Sequence, residues 1–467
     1  MRHRGDSPDS KAETKVSLSG GVKMLFDSIR RAGEKFAANT RGGAAIVMAL
    51  LIPVLIAGLA FGSELGFWEL ERRKLQNAAD TAAHAAATQL RQGIDDNAEL
   101  KSTAKGIAEV GGYEAGDPGI ALFHPPTNGA YAGNNQALNV TLDHSIPRRF
   151  TSIYSRDPVA FTVRSTALIS NGRPACVLAL APSASSAVLV AGSTTVTLNG
   201  CDVAANSISA SAVTQSGAGQ LETDCISTVG GTSFQNSSNV TLNDCAGPIE
   251  NGPLTPDPYR DVPEPTDPGI CASNAELKEL APNNNQTGTP LPTSGSPTNN
   301  NLGKAYCIGN SETIHGTVNF APGVYVIKCK LPATACTLKV NATAALNGDG
   351  VTLFLTNGVA LDLNGGATID LSAPTSGAYS GLVVFFDRDD TTSSVINGGS
   401  NFSIVGAVYG TKTNIAFTGN TAGSGPGECT QVIGYTVAFT GNSDFDTDCS
   451  ASGTKEIKTV QSIRIVE

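Results

Sequence analysis

From Gly42 to Ser63 the chain reads GGAAIVMALLIPVLIAGLAFGS, without a charged side chain, between Arg41 and Glu64. A helix needs roughly 20 mostly apolar residues to cross a hydrocarbon core, and the apolar part of a cleaved signal peptide is shorter, roughly 7–15 residues. The run therefore predicts one retained transmembrane helix. Past it, FWELERRKLQNAADTAAHAAATQLRQG is rich in strong helix formers and extends the helix out of the membrane until Gly93 offers a stop. Leu75, Ala79, Ala82, Ala86 and Leu90 recur every three or four residues and form a slim apolar stripe, a pattern that serves a core more often than a docking surface. Between Asn97 and Ser170 a helical stretch (AELKSTAKGIAEV) is followed by the alternating runs ALNVTLDHSI and VAFTVRSTALI, which read as strands in a small α+β region.

From Cys176 onward the period changes again. Short Val/Leu/Ile/Phe-Thr runs recur with Asn-Gly or Gly-Asn punctuation, among them TTVTLNGCDV, SNVTLNDCAG, NIAFTGNTAG and TVAFTGNSDF. Each supplies a short strand and then a turn residue that tolerates positive φ, so stacked coils would bury a continuous ladder. The expected fold is thus a single N-terminal transmembrane helix, an α+β region and a mainly-β domain of right-handed parallel β-helix type, with a β-sandwich as the alternative. Between Ala246 and Lys304 eleven prolines and two Asn-rich stretches interrupt the pattern, a composition that resists a packed core and predicts a linker or long insertion. The boundaries that follow are 1–41 (basic segment), 42–92 (anchor and continuing helix), 93–172 (α+β), 173–245 (β-repeats), 246–304 (linker or insertion) and 305–467 (β-repeats).

Charge and cysteine usage orient this arrangement. Nine basic and five acidic residues precede the span, so the leading segment carries a net +4 and is expected to stay cytoplasmic. Arg72, Arg73 and Lys74 place a second basic cluster on the other side, and the cysteines decide between the two. All ten (Cys176, Cys201, Cys225, Cys245, Cys271, Cys307, Cys329, Cys336, Cys429 and Cys449) follow residue 175, an even count expected of disulfides in an oxidising compartment. Several intervals, such as Cys176 to Cys201 and Cys225 to Cys245, are about one solenoid coil long, and Cys329 and Cys336 are close enough to favour a hairpin clip. The formal net charge of -10 argues against a nucleic-acid partner. Within the span, Gly58, Gly62 and Gly66 stand four residues apart on one helical face where a second helix, such as another copy of this anchor, could approach closely, and Pro53 interrupts the helical hydrogen bonding.

The run RGGAAIVMALLIPVLIAGLAFGSELGFWELERRKLQNAADTAAHAAA resembles the N-terminal region of TadE/TadG-like proteins of tight-adherence (Flp) pilus systems. The shared features are Arg41 and Gly42 before the anchor, Pro53 within it, the aromatic and basic exit of Trp68, Arg72 and Arg73, and LQNAADTAAHAAA from Leu75 to Ala87. The stretch from Pro174 to Ala212 also looks like the segment after the helix in longer members. The resemblance implies a single-pass bacterial inner-membrane protein, N-terminus cytoplasmic and main domain periplasmic. Its implied partners are other pilus assembly proteins, in the membrane and periplasm, and membrane lipid. Where pilins of this class carry Glu five residues after a processed glycine, this chain has Met48 or Val47, and Asp370-Leu371-Ser372-Ala373-Pro374 does not match the Asp-x-Ser-x-Ser metal motif of some relatives.

No serine-hydrolase elbow, phosphate loop, zinc-protease or dinucleotide motif occurs, so no enzyme activity, cofactor or metal is expected. The densest acidic clusters are Asp387, Arg388, Asp389 and Asp390, and Asp444, Asp446 and Asp448. They read as solvated turns. The alternative is a calcium-dependent polysaccharide-binding or polysaccharide-cleaving site on a β-helical adhesin, since several oxygens at close spacing suit that cation.

Overall fold

The computed structural model describes residues 43–113, 119–271, 304–330, 335–398, 402–419, 421–422, 429–446 and 452–466. The basic segment 1–41, the Asn-rich half of the proline-rich stretch and Cys449 lie outside them. The chain divides into two compact units, one of residues 1–74 and 144–161 and one of 75–143 and 162–467. Helix α1 (Gly43–Arg91) supplies residues to both and continues through Pro53.

In the first unit, α1 is long and apolar enough to cross a membrane, and no other described residues bury its apolar stretch. Ile46, Leu50, Val54, Leu55 and Leu59 all lie more than 60% exposed, as side chains that face lipid would.

In the second unit the rest of α1 is core. Leu75, Ala79, Ala82 and Ala86 are buried, with Ala78, Ala83 and Ala87 beside them, while Leu90 at the end of the stripe is half-buried. Small alanines let neighbouring backbone come close: a Cβ on Gly111 would lie 3.1 Å from that of Ala78. Helix α2 (Asn97–Val110) starts at Asp96, whose carboxylate accepts the Ala98 and Glu99 N–H groups at 2.8 and 2.9 Å and so satisfies two free donors of the first turn. Strands β1 (Gly119–Phe123), β2 (Ala137–Ile146) and β3 (Val159–Ile169) form a sheet whose fourth strand is the C-terminal Ile463–Ile465, antiparallel to β3.

From Arg173 the chain builds a parallel β-helix of about nine coils. A coil holds three short strands, as in Gly323–Cys329, Cys336–Val340 and Ala345–Gly348, and each pairs in parallel with its counterpart in the next coil. The register stacks like on like. Tyr325, Leu353, Val384, Val408, Val432, Val177, Val203 and Ile226 form one unbroken inner ladder, none more than 2% exposed. The two AFTGN repeats lie directly over one another: Phe417 pairs with Phe439 and their rings stack at 5.5 Å. Gly419 takes φ +75°, and a Cβ on Gly441 would collide with the Gly419 backbone, so the glycine punctuation lets successive turns close on each other.

The order of coils does not follow the order of the chain. Strand Thr430–Phe439, near the end of the C-terminal repeats, pairs in parallel with Arg173–Ala179 and Val188–Val190, the first strands of the N-terminal repeats. Residues 173–245 and 305–446 are therefore one solenoid, which the chain enters partway along the stack. It winds to one end, returns, and winds back from the far end to meet its own starting coil.

That return is the proline-rich stretch. Composition predicts a spacer, whereas its described half is a packed strap in which Tyr259 is 0% and Val262 5% exposed. Proline needs no ladder donor, so an extended proline-rich segment can cross a sheet face without leaving unpaired N–H groups. The face beneath it is apolar on both sides. Val351–Thr356 and Leu382–Phe386 are buried at every position, and the outward ladder Val326, Phe354, Phe385, Tyr409, Ile433, Leu178 and Ala204 belongs to the same cluster as Tyr259 and Val262.

Four disulfides with both partners among the described residues brace this path. Cys176–Cys201 joins neighbouring coils, and Cys225–Cys245 ties a terminal coil to the departing chain. Cys271–Cys307 fixes the far end of the return to strand Tyr306–Ile308. Cys329–Cys336 joins the end of one strand to the start of the next, and these strands pair with other coils, not with each other as a hairpin would. Cys429 is disulfide-bonded too. Because Cys271 and Cys307 close a loop of 36 residues, replacing both by serine should lower stability by about 4 kcal/mol on the loop-entropy model. Denaturant unfolding under oxidising conditions measures this, and an unchanged midpoint would show that the return needs no tether.

Candidate functional site

Two constellations stand out, one in each unit. In the first, Glu64 directly follows the apolar run yet is only 2% exposed. Its carboxylate accepts the Arg149 N–H at 2.6 Å and the Thr151 N–H at 2.7 Å, at the start of a short 3-10 turn, Thr151–Ile153. The Arg149 guanidinium lies 4.8 Å from the Phe67 ring centroid and that of Arg148 5.4 Å from Trp68, so the aromatic exit of the span is capped by cations from one loop. Gly58, Gly62 and Gly66 open onto free space: a Cβ at any of them would meet nothing within 4 Å. Among the described residues nothing packs on the glycine face.

In the second unit Arg388 is the clasp of the strap. Its Nη2 donates to the carbonyls of Tyr259, Arg260 and Val262 at 2.9, 3.2 and 2.6 Å, and its backbone N–H donates to Glu264 at 2.7 Å. The guanidinium also lies 5.2 Å from the Phe385 ring centroid and 5.8 Å from that of Tyr409. Beside it the Tyr409 hydroxyl donates to Asp257 at 2.8 Å, and Tyr259 Oη accepts the Lys455 N–H at 3.0 Å. Burial pushes the Asp257 carboxyl up, against the Tyr259 N–H, the Tyr409 hydroxyl and the charge of Arg388. Burial raises both tyrosines as well, and Asp257 raises them further. Farther along, burial pushes the Asp267 carboxyl up, but Lys328 at 2.7 Å and the Gly269 N–H together outweigh this and lower it.

Most of the acidic cluster around Arg388 is tied down, although Asp390 Oδ2 is buried without a hydrogen-bond partner. Asp387 accepts the Thr356 hydroxyl and the Asp389 N–H, Asp389 binds Lys412 at 2.7 Å, and Asp390 accepts the Thr392 N–H. Lys412 holds the Asp389 carboxyl low, whereas burial raises that of Asp390. With Asn357 they line an open depression of about 570 Å³. Among the described residues no three His, Cys, Asp or Glu side chains come together in a way that could hold a metal ion. Asp444 and Asp446 lie on strand Ser443–Asp446, and Asp448 falls outside the described residues.

Glu64, Tyr259 and Asp257 were not legible as site residues from sequence. The available signals were a carboxylate at the very end of an apolar run, and a Tyr and a Val three residues apart in an otherwise polar, proline-rich stretch. Arg388 stood out only as the single cation in an acidic cluster.

An N-terminal span running into a folded region, followed by a disulfide-braced β-helix, defines a single-pass membrane protein with a solenoid domain. Residues 42–89 match the family model described as putative Flp pilus-assembly TadE/G-like, so the anchor is a Tad-type domain. The chain matches no curated protein and no solved structure.

Two outcomes check the clasp. Arg388→Ala strips the donors from three strap carbonyls and should cost about 2–4 kcal/mol, with faster protease cleavage between residues 246 and 271; unaltered stability would contradict the assignment. A raised carboxyl binds its proton more tightly in the folded state, so Asp257 contributes most below pH ~4 and that contribution fades as pH rises through its folded value. Thermal unfolding of Asp257→Asn across that window should lack this decline, and parallel profiles for variant and wild type would refute it.

Proposed function

We propose that the protein is a non-enzymatic component of Flp (tight-adherence) pilus assembly, held in the bacterial inner membrane by α1 with its N-terminus cytoplasmic. The β-helix is displayed in the periplasm and contributes to surface adhesion. The observation that carries this reading is the Tad-type match over residues 42–89, which coincides with the span and its helical continuation and leads without a break into the folded second unit. Disulfides throughout the β-helix support an oxidising compartment for it, and the basic leading segment supports the orientation. Partners are other assembly proteins in the membrane and periplasm, and the open face of Gly58, Gly62 and Gly66 suits a second helix, including another copy of this anchor. Nucleic acid does not fit an acidic chain. The calcium and polysaccharide alternative loses its strongest cation, because Arg388 is committed to the strap.

In a strain whose chain stops after residue 170, with the anchor's membrane insertion verified, surface pili should disappear. Normal pilus numbers with normal attachment would contradict the proposal. Pili that persist while attachment alone fails would restrict the β-helix to adhesion.

A further inference from the structure

The loop that seals Glu64 carries large apolar side chains that stand in the open. Phe150, Ile153 and Tyr154 are 55%, 87% and 89% exposed, and Arg149 and Arg156 are exposed beside them. A soluble surface seldom presents three large apolar side chains within five residues. Their height on the helix gives the reason. Glu64 is the first residue past the apolar run, and Phe67 and Trp68 lie about one turn farther. Contacts of the loop with all three hold it beside the end of the apolar run. The 3-10 turn Thr151–Ile153 and its two flanking residues carry the exposed Phe150, Ile153 and Tyr154, and Arg148, Arg149 and Arg156 outnumber the single acid, Asp157.

We infer that Arg148–Arg156 is a membrane-interface foot. Phe150, Ile153 and Tyr154 enter the headgroup layer at the C-terminal end of the span, and the exposed Arg149 and Arg156 bind anionic phospholipid headgroups. Aromatic and aliphatic side chains paired with cations suit that boundary. The occupant is the lipid surface that surrounds the span itself, since the patch is continuous with the end of the transmembrane run in the same compact unit. Glu64 acts as its positioning residue: a carboxylate sealed by two backbone N–H groups sets the loop's height on the helix. This inference rests on the single-pass anchor and not on a role in pilus assembly.

Trp68 is the only tryptophan in the chain, which gives a clean optical test. In full-length protein carrying Trp68→Phe, which keeps a ring beneath Arg148, Tyr154→Trp introduces one reporter on the foot. The protein is reconstituted into phosphatidylcholine vesicles with or without phosphatidylglycerol, and flotation after carbonate washing verifies that the span is inserted. The expected result is blue-shifted emission, strong quenching by lipids brominated near the headgroup and weak quenching by aqueous acrylamide. Phosphatidylglycerol should increase the lipid quenching, and Arg149→Glu with Arg156→Glu should abolish that increase. Emission fully open to acrylamide and untouched by brominated lipid overturns the foot, and lipid quenching indifferent to phosphatidylglycerol overturns its recognition of anionic headgroups.

Discussion

Parallel pairing between coils is the constraint from which the rest of the second unit follows. A parallel strand leaves its N–H and C=O groups unpaired until a strand of the same direction lies beside it. The inner ladder from Tyr325 to Ile226 is buried only when every coil is flanked. The coil that begins at Arg173 is the first the chain makes, yet it lies inside the stack, with Asp202–Ala205 on one side and Thr430–Phe439 on the other. Its second neighbour therefore has to arrive from the opposite end of the sequence. The return strap is the consequence, and Tyr259, Val262 and Arg388 hold it against the apolar outer face it must cross.

This organisation explains why a chain with few aromatic residues and much Asn, Ser, Thr and Gly can bury two apolar clusters. Each strand is too short to be stable alone, but stacking multiplies its contacts. The polar residues occupy the outward positions and turns. The outer face of one sheet is apolar, and the strap and strand Ile457–Thr459 pack there. In the first unit the same economy of elements appears: one loop uses Glu64 to fix its position and leaves its apolar side chains outward, where the end of the span defines the surroundings.

Much of this was legible in the residues because it repeats with a short period. The transmembrane run, the alanine stripe and the strand-and-glycine repeats each follow from local spacing, and the two AFTGN segments that look alike do stack on each other. The Tad-type anchor was legible from its own residues as well. The coil order was not, because nothing local in Thr430–Phe439 distinguishes pairing with Val177 from pairing with another valine-rich strand. The strap was hidden by its prolines, which signal disorder when an isolated segment is considered and suit an extended strap once an apolar face lies beneath. Arg388 was hidden for the opposite reason: charge in a turn normally signals solvent, and here three carbonyls and two rings receive it.

The seam between the two halves of the solenoid is the claim on which the account stands. Leu178 and Ile433 are register partners across it on the outer ladder. Full-length protein carrying Leu178→Cys and Ile433→Cys, oxidised and digested, is the direct measurement. The account predicts one new disulfide linking the peptides that contain these two positions, with the native disulfides intact. Absence of that cross-link in folded protein, or cross-linking of either cysteine to a different coil, would contradict it.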